Sequence, residues 1–122
     1  MKRAFPLPLV IEDMGDGRRY ASRLPFRWEH GPFSIDIESN EITDFASIPR
    51  LFWRLCPPMG LWNRAAYIHD YLYRTGIVSR WVADAIFYEC LLDCGVNRTL
   101  ATCMWLAVRL FGRGYYRRSV NL

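Results

Sequence analysis

Two residues of "AAYIHDYLY" (65–73) and one of "VADAIF" (82–87) are of the types that hydrolysis needs: His69, Asp70 and Asp84. A neutral imidazole accepts a proton from water near physiological pH, and a carboxylate bonded to its other nitrogen fixes the tautomer and steadies the charge that forms. Asp70 beside the imidazole, with Asp44 of "ITDFASIP" upstream, offers hard oxygen ligands to a divalent cation, calcium or zinc. Each residue also has a plainer use. Asp70 can pair with Arg74 and Asp84 with Arg80 across one helical turn, Asp44 can cap a helix, and His69 can bond a backbone carbonyl inside a core.

Helical spacing argues that two of these groups are brought together. His69 lies on the face of Ala65, Leu72 and Tyr73, and Asp84 on the face of Trp81, Phe87, Tyr88 and Leu91, so each polar group occupies the side its helix buries. The connection "TGIVS" is short enough to set helices 63–75 and 80–94 antiparallel and in contact. A buried carboxylate without a partner is costly, so His69 and Asp84 each give a reason for the other. Asp70, one position further round, is expected to leave the core toward a groove.

The positioning elements follow from pattern and punctuation. "FPLPLVIED", then "RRYASRLPFRWEH" interrupted by Pro25, then "GPFSIDIESN" with Phe33, Ile35 and Ile37 alternating against Ser34, Asp36 and Glu38, predict a small antiparallel β-sheet. From Ser47 the period turns helical. Ser47 with Pro49 in the first turn opens "SIPRLFWRL", which "CPPMG" ends; Asn63, Ser79 and Asn97 are caps for the next three helices, and Gly76, Gly95 and Gly112 close them. The fold expected is α+β: a small N-terminal antiparallel sheet, then a bundle of three to four helices. It forms a single domain over 1–122, β-rich over 1–45 and helical over 46–112, with a basic tail at 113–122.

Composition narrows the alternatives. Hydrophobic residues make up 52% of the 122 and aromatics 16%, which supports one packed core and excludes disorder. Net charge is +4, with the excess spread along the chain and no nucleic-acid motif beside it, so nucleic acid is not the expected partner. Cysteines 56, 90, 94 and 103 include no C-x-x-C pair, which disfavours a zinc ribbon and predicts free, reduced thiols. Prolines break the apolar run of "MKRAFPLPLV", so it is not a signal peptide, and no stretch reaches the roughly 20 apolar residues of a membrane span.

"TDFASIPR", "AAYIHDYLY", "VADAIF" and "MWLAVRLFG", in that order, resemble a family of small proteins of tailed bacteriophages and prophages, domain of unknown function family 1353, over about residues 40–112. The pair "AAYIHDYLY" and "WVADAIF" also resembles, locally, the active-site helix pair of secretory and parvoviral phospholipases. By that second resemblance His69 activates water, Asp70 binds calcium, Tyr73 supports the network and Asp84 orients the imidazole. The chain departs from it in a shorter histidine-to-aspartate spacing and in "CPPMGLWNR", which stands where a glycine-rich calcium loop would be.

The function expected is therefore a phage-encoded His-Asp hydrolase, metal-assisted through Asp70 and Asp44, acting on a host-envelope ester or amide. The alternative is a non-catalytic tail or baseplate component whose partners are other virion proteins. Expected localisation is the host cytoplasm on synthesis, and the virion under the alternative.

Overall fold

In the computed structural model residues 5–15, 20–43 and 62–116 are described, and the chain divides into two compact units, Met1–Asp44 and Phe45–Leu122. The division falls where the sequence changes from alternating to helical spacing. Ser47, the helix expected from it, Cys56 and Asp44 lie outside the described residues.

The first unit is β structure with short strands. β1 (Ile11–Asp13), β2 (Tyr20–Ser22) and β5 (Ile42–Thr43) form a three-stranded antiparallel sheet in the order β1-β2-β5, with Ile11 opposite Ser22 and Tyr20 opposite Thr43. β3 (Phe26–His30) and β4 (Phe33–Ile37) form a separate hairpin. The expected single sheet is thus two. Pro25 stands between β2 and β3, and its missing N–H suits a break in the ladder. The hairpin loop is Gly31-Pro32, and Gly31 takes the positive φ of 58° that so short a connection favours. Phe26 and Trp28 point inward with Ile37, while Arg27 reaches across to Asp36 at 2.6 Å on the other face. The alternation of β4 fades toward its start, where Phe33 at the hairpin tip is exposed.

The second unit holds α1 (Asn63–Thr75), α2 (Arg80–Asp93), α3 (Arg98–Phe111) and a single 3-10 turn, Arg113–Tyr115. Ser79 and Asn97 cap α2 and α3, their side-chain oxygens accepting from the Val82 and Leu100 amides. Asn63 does not cap α1. It is the first helical residue, and Trp62 precedes it in a helical conformation without a side-chain cap bond. Gly95, at φ 92°, closes α2: its N–H donates to the Leu92 carbonyl and that of Val96 to Leu91, satisfying two terminal acceptors.

α1 and α2 run antiparallel, as successive contacts show. Arg80, at the start of α2, meets Tyr73 near the end of α1, and Asp84, a turn further on, meets His69, a turn further back. Ala65, Ala66, Tyr67, Ile68 and Leu72 of α1 are fully buried, with Ala83, Phe87, Cys90 and Leu91 of α2 and Ala101 and Val108 of α3. Alanines on facing helices allow close approach, and the large rings fill the layers between them.

Candidate active site

The centre of the helical unit is polar. His69 Nε2 lies 2.7 Å from Asp84 Oδ1, and both side chains have no solvent exposure. The Tyr73 hydroxyl donates to the same oxygen at 2.6 Å, and Arg109 Nη1 donates to Oδ2 at 2.7 Å. Three helices therefore converge on one carboxylate: α1 through His69 and Tyr73, α2 through Asp84 itself, and α3 through Arg109. Arg80 tightens the group from the start of α2. Its Nε donates to the Tyr73 hydroxyl at 3.2 Å and its Nη2 to the Val108 and Arg109 carbonyls at 2.8 and 2.6 Å, near the C-terminal end of α3.

Protonation states follow from these contacts. Burial alone would raise Asp84, but the hydrogen bonds from His69, Tyr73 and Arg109 outweigh it and hold the carboxyl below its usual range. Burial lowers His69 from 6.5, against the pull of Asp84, so the imidazole is neutral. An ionised carboxylate can only accept, so Nε2 must carry the proton and Nδ1 the lone pair. Burial and the bond to Asp84 also push the Tyr73 hydroxyl up, keeping it a donor. The tautomer is fixed with its basic nitrogen on the side away from Asp84.

Packing restrains the ring as well. His69 sits 4.1 Å from the Tyr73 ring and 4.6 Å from Phe87, centroid to centroid. Gly112, beyond α3, admits the Tyr73 hydroxyl closely. A Cβ there would stand 2.9 Å from that oxygen and 2.5 Å from the Val108 carbonyl. The Tyr116 ring packs edge-on against Tyr73 and its hydroxyl donates to the Val78 carbonyl, closing the far side.

His69, Asp84 and Tyr73 are thus in direct contact. Asp70 does not leave for an open groove. It is buried, and Arg74 Nε donates to its Oδ2 at 3.0 Å, so this long side chain covers the position that the helical wheel left outside. Asp44, the second expected metal ligand, lies outside the described residues. Among those residues no three histidine, cysteine or acidic side chains gather around one point. The pair expected between Asp84 and Arg80 is loose at 4.0 Å, because Arg80 spends its donors on Tyr73 and on carbonyls.

Trp81 does not join the core beside Asp84. It is 60% exposed, edge-on to Trp105, with the Arg109 guanidinium 4.7 Å above its ring. The sequence gives Arg80 only as an ion-pair partner of Asp84, not as a donor to Tyr73 and to α3 carbonyls, and it does not single out Arg109. The available signal was Arg109 itself, a charge interrupting the apolar run "MWLAVRLFG" next to the buried Val108.

Against known families, residues 21–108 match the model of the family described as "Protein of unknown function (DUF1353)". The chain belongs to this family. The matched span takes in His69, Tyr73, Arg80 and Asp84 and ends one residue before Arg109, so the carboxylate-centred group except Arg109 falls within it. No curated protein and no solved structure matches the chain. None of the described helices is long and apolar enough to cross a membrane.

Proposed function

We propose that this DUF1353 protein is a phage-encoded hydrolase in which His69 is the general base and Asp84 its positioning residue, acting on a host-envelope ester or amide. The observation that carries this reading is the double use of Asp84 Oδ1. By accepting from both His69 Nε2 and the Tyr73 hydroxyl, it holds the imidazole in the tautomer protonated at Nε2, whose basic nitrogen is Nδ1. Nδ1 takes a proton from water as the water oxygen bonds to the substrate carbonyl carbon. The imidazolium then returns that proton to the leaving alcohol or amine as the carbon–heteroatom bond breaks, leaving a carboxylic acid. Asp84 steadies the transient imidazolium, and Arg109 keeps Asp84 ionised throughout.

The carboxylates of Asp70 and Asp44 are the hard oxygen donors that calcium takes, and zinc accepts them too. A cation held by Asp70 would compete with Arg74 for that carboxylate. When bound, it would stabilise negative charge developing on the carbonyl oxygen.

A second reading rests on a different observation: neither His69 nor Asp84 is exposed at all, and Asp84 is held by donors from α1 and α3 together. Such a cluster suits a non-catalytic tail or baseplate component whose core is locked by one carboxylate. The deciding experiment is hydrolysis by the full chain of phospholipids, acylated lipopolysaccharide and peptidoglycan, with added calcium, zinc or chelator. His69→Gln preserves donation to Asp84 but removes the base. The hydrolase reading expects activity that this variant loses at unchanged melting temperature. Activity retained by His69→Gln, or none in the parent chain under any of these conditions, favours the virion component.

A further inference from the structure

The outward face of α3 has a character that the buried cluster does not explain. Helical spacing places Thr99, Thr102, Cys103, Leu106 and Leu110 on the side opposite the buried Ala101, Met104, Ala107 and Val108. Leu106 is 46% exposed, Leu110 71%, and Phe111 at the helix end 66%. The patch continues onto α2, where exposed Trp81 contacts Trp105 and Arg109. An isolated exposed leucine needs no explanation, but four large apolar groups at one end of two adjoining helices do.

Charge indicates what the face meets. From Cys94 to Leu122 the sequence has no aspartate or glutamate, while it carries Arg98, Arg113, Arg117 and Arg118 besides Arg109, which Asp84 holds. Leucines and aromatics exposed on a helix that lacks acidic residues and is followed by arginines suit a negatively charged bilayer surface. The apolar side chains enter the acyl boundary while guanidinium groups meet headgroup phosphates. A second copy of the chain would bring the same arginines together, and the repulsion disfavours that occupant.

We infer that the outward face of α3, with Trp81 of α2, is a peripheral docking surface for anionic lipid bilayers. This binding does not depend on hydrolysis. It is carried by Leu106, Leu110, Phe111 and Trp81 with Arg113, and the His69–Asp84 pair takes no part.

The test is flotation of the full chain with phosphatidylcholine vesicles, with and without phosphatidylglycerol, at low and high salt. Tryptophan emission follows insertion, and sedimentation without lipid gives the oligomeric state. Expected are binding to the phosphatidylglycerol vesicles alone, weakening with salt, and a loss of about tenfold or more in Leu110→Glu and in Phe111→Ser at unchanged melting temperature. Three results would each overturn the inference: no binding to anionic vesicles, binding indifferent to both substitutions, or a stable lipid-free dimer that Leu110→Glu dissociates. Duplex or single-stranded DNA binding as tight as the lipid binding, and equally lost in Leu110→Glu, would reassign the face to nucleic acid.

Discussion

Replacing Asp84 by asparagine removes one negative charge and almost no volume, so its cost reads the polar cluster with little disturbance to packing. The amide keeps an acceptor for His69 and Tyr73, now at 2.7 and 2.6 Å from a neutral oxygen. Exchanging a charged for a neutral acceptor costs about 1 kcal/mol for each bond. On the other side an NH2 group faces Arg109 Nη1, which stood 2.7 Å from a carboxylate oxygen. The Arg109 side chain is 24% exposed and can turn partly to water, so losing its partner costs about 1–2 kcal/mol rather than the full penalty of an unpaired buried charge. The expected total is about 3–4 kcal/mol, or roughly 12–16 °C in melting temperature at about 4 °C per kcal/mol for a chain of this size. Helical circular dichroism during urea and thermal unfolding measures it. Combining Asp84→Asn with Arg109→Met should cost clearly less than the sum of the single changes, because the second removes the cation that the first strands. A loss below about 1 kcal/mol, or strict additivity of the pair, would refute the claim that this carboxylate ties three helices together.

Other consequences can be checked on the same protein. Gly112→Ala should destabilise the helical unit by about 1–3 kcal/mol although alanine is the better helix former, since the new Cβ meets the Val108 carbonyl and the Tyr73 hydroxyl; equal or higher stability in urea would contradict that packing. Stability should fall on acidification in two stages, followed by melting at a series of pH values. Folded His69 resists protonation, so below about 6.5 the unfolded chain binds the extra proton and is favoured; the contribution of Asp84, full above its unfolded value, is lost as pH drops through its depressed folded one. His69→Gln should flatten the first stage, and an unchanged profile would contradict a neutral buried imidazole. Cys103 should be alkylated quickly in the native protein and buried Cys90 only on unfolding, with Cys94, its thiol pushed up to about 11 by burial, slow at neutral pH; mass spectrometry after timed labelling distinguishes the three.

Much of the helical unit was legible because its signals are local. Serine and asparagine before an apolar period fix the starts of α2 and α3, and a glycine able to take a positive φ fixes the end of α2. The approach of His69 to Asp84 was legible for a different reason. Two polar groups on the buried faces of helices joined by a short connection have few other partners. What escaped was long-range. Arg109 lies 25 residues from Asp84, and no periodicity indicates where a flexible arginine ends. Trp81 shows the same limit. Its spacing assigns it to the face of Asp84, but it lies in the first turn of α2, where contact with Trp105 and Arg109 leaves it largely in solvent. The β unit was read as one sheet because alternation reveals which side of a strand is apolar and says nothing of which strands pair.

Base catalysis by His69 depends on which of its nitrogens carries the proton. The chain has two histidines, so a long-range proton–nitrogen correlation spectrum of the imidazoles, with His30→Gln for assignment, reads this directly. The prediction is a neutral His69 ring at neutral pH, protonated at Nε2 and unprotonated at Nδ1, and loss of that fixed tautomer in Asp84→Asn. A ring protonated at Nδ1, or an imidazolium at neutral pH, would contradict this, since the first turns the basic nitrogen toward Asp84 and the second leaves none.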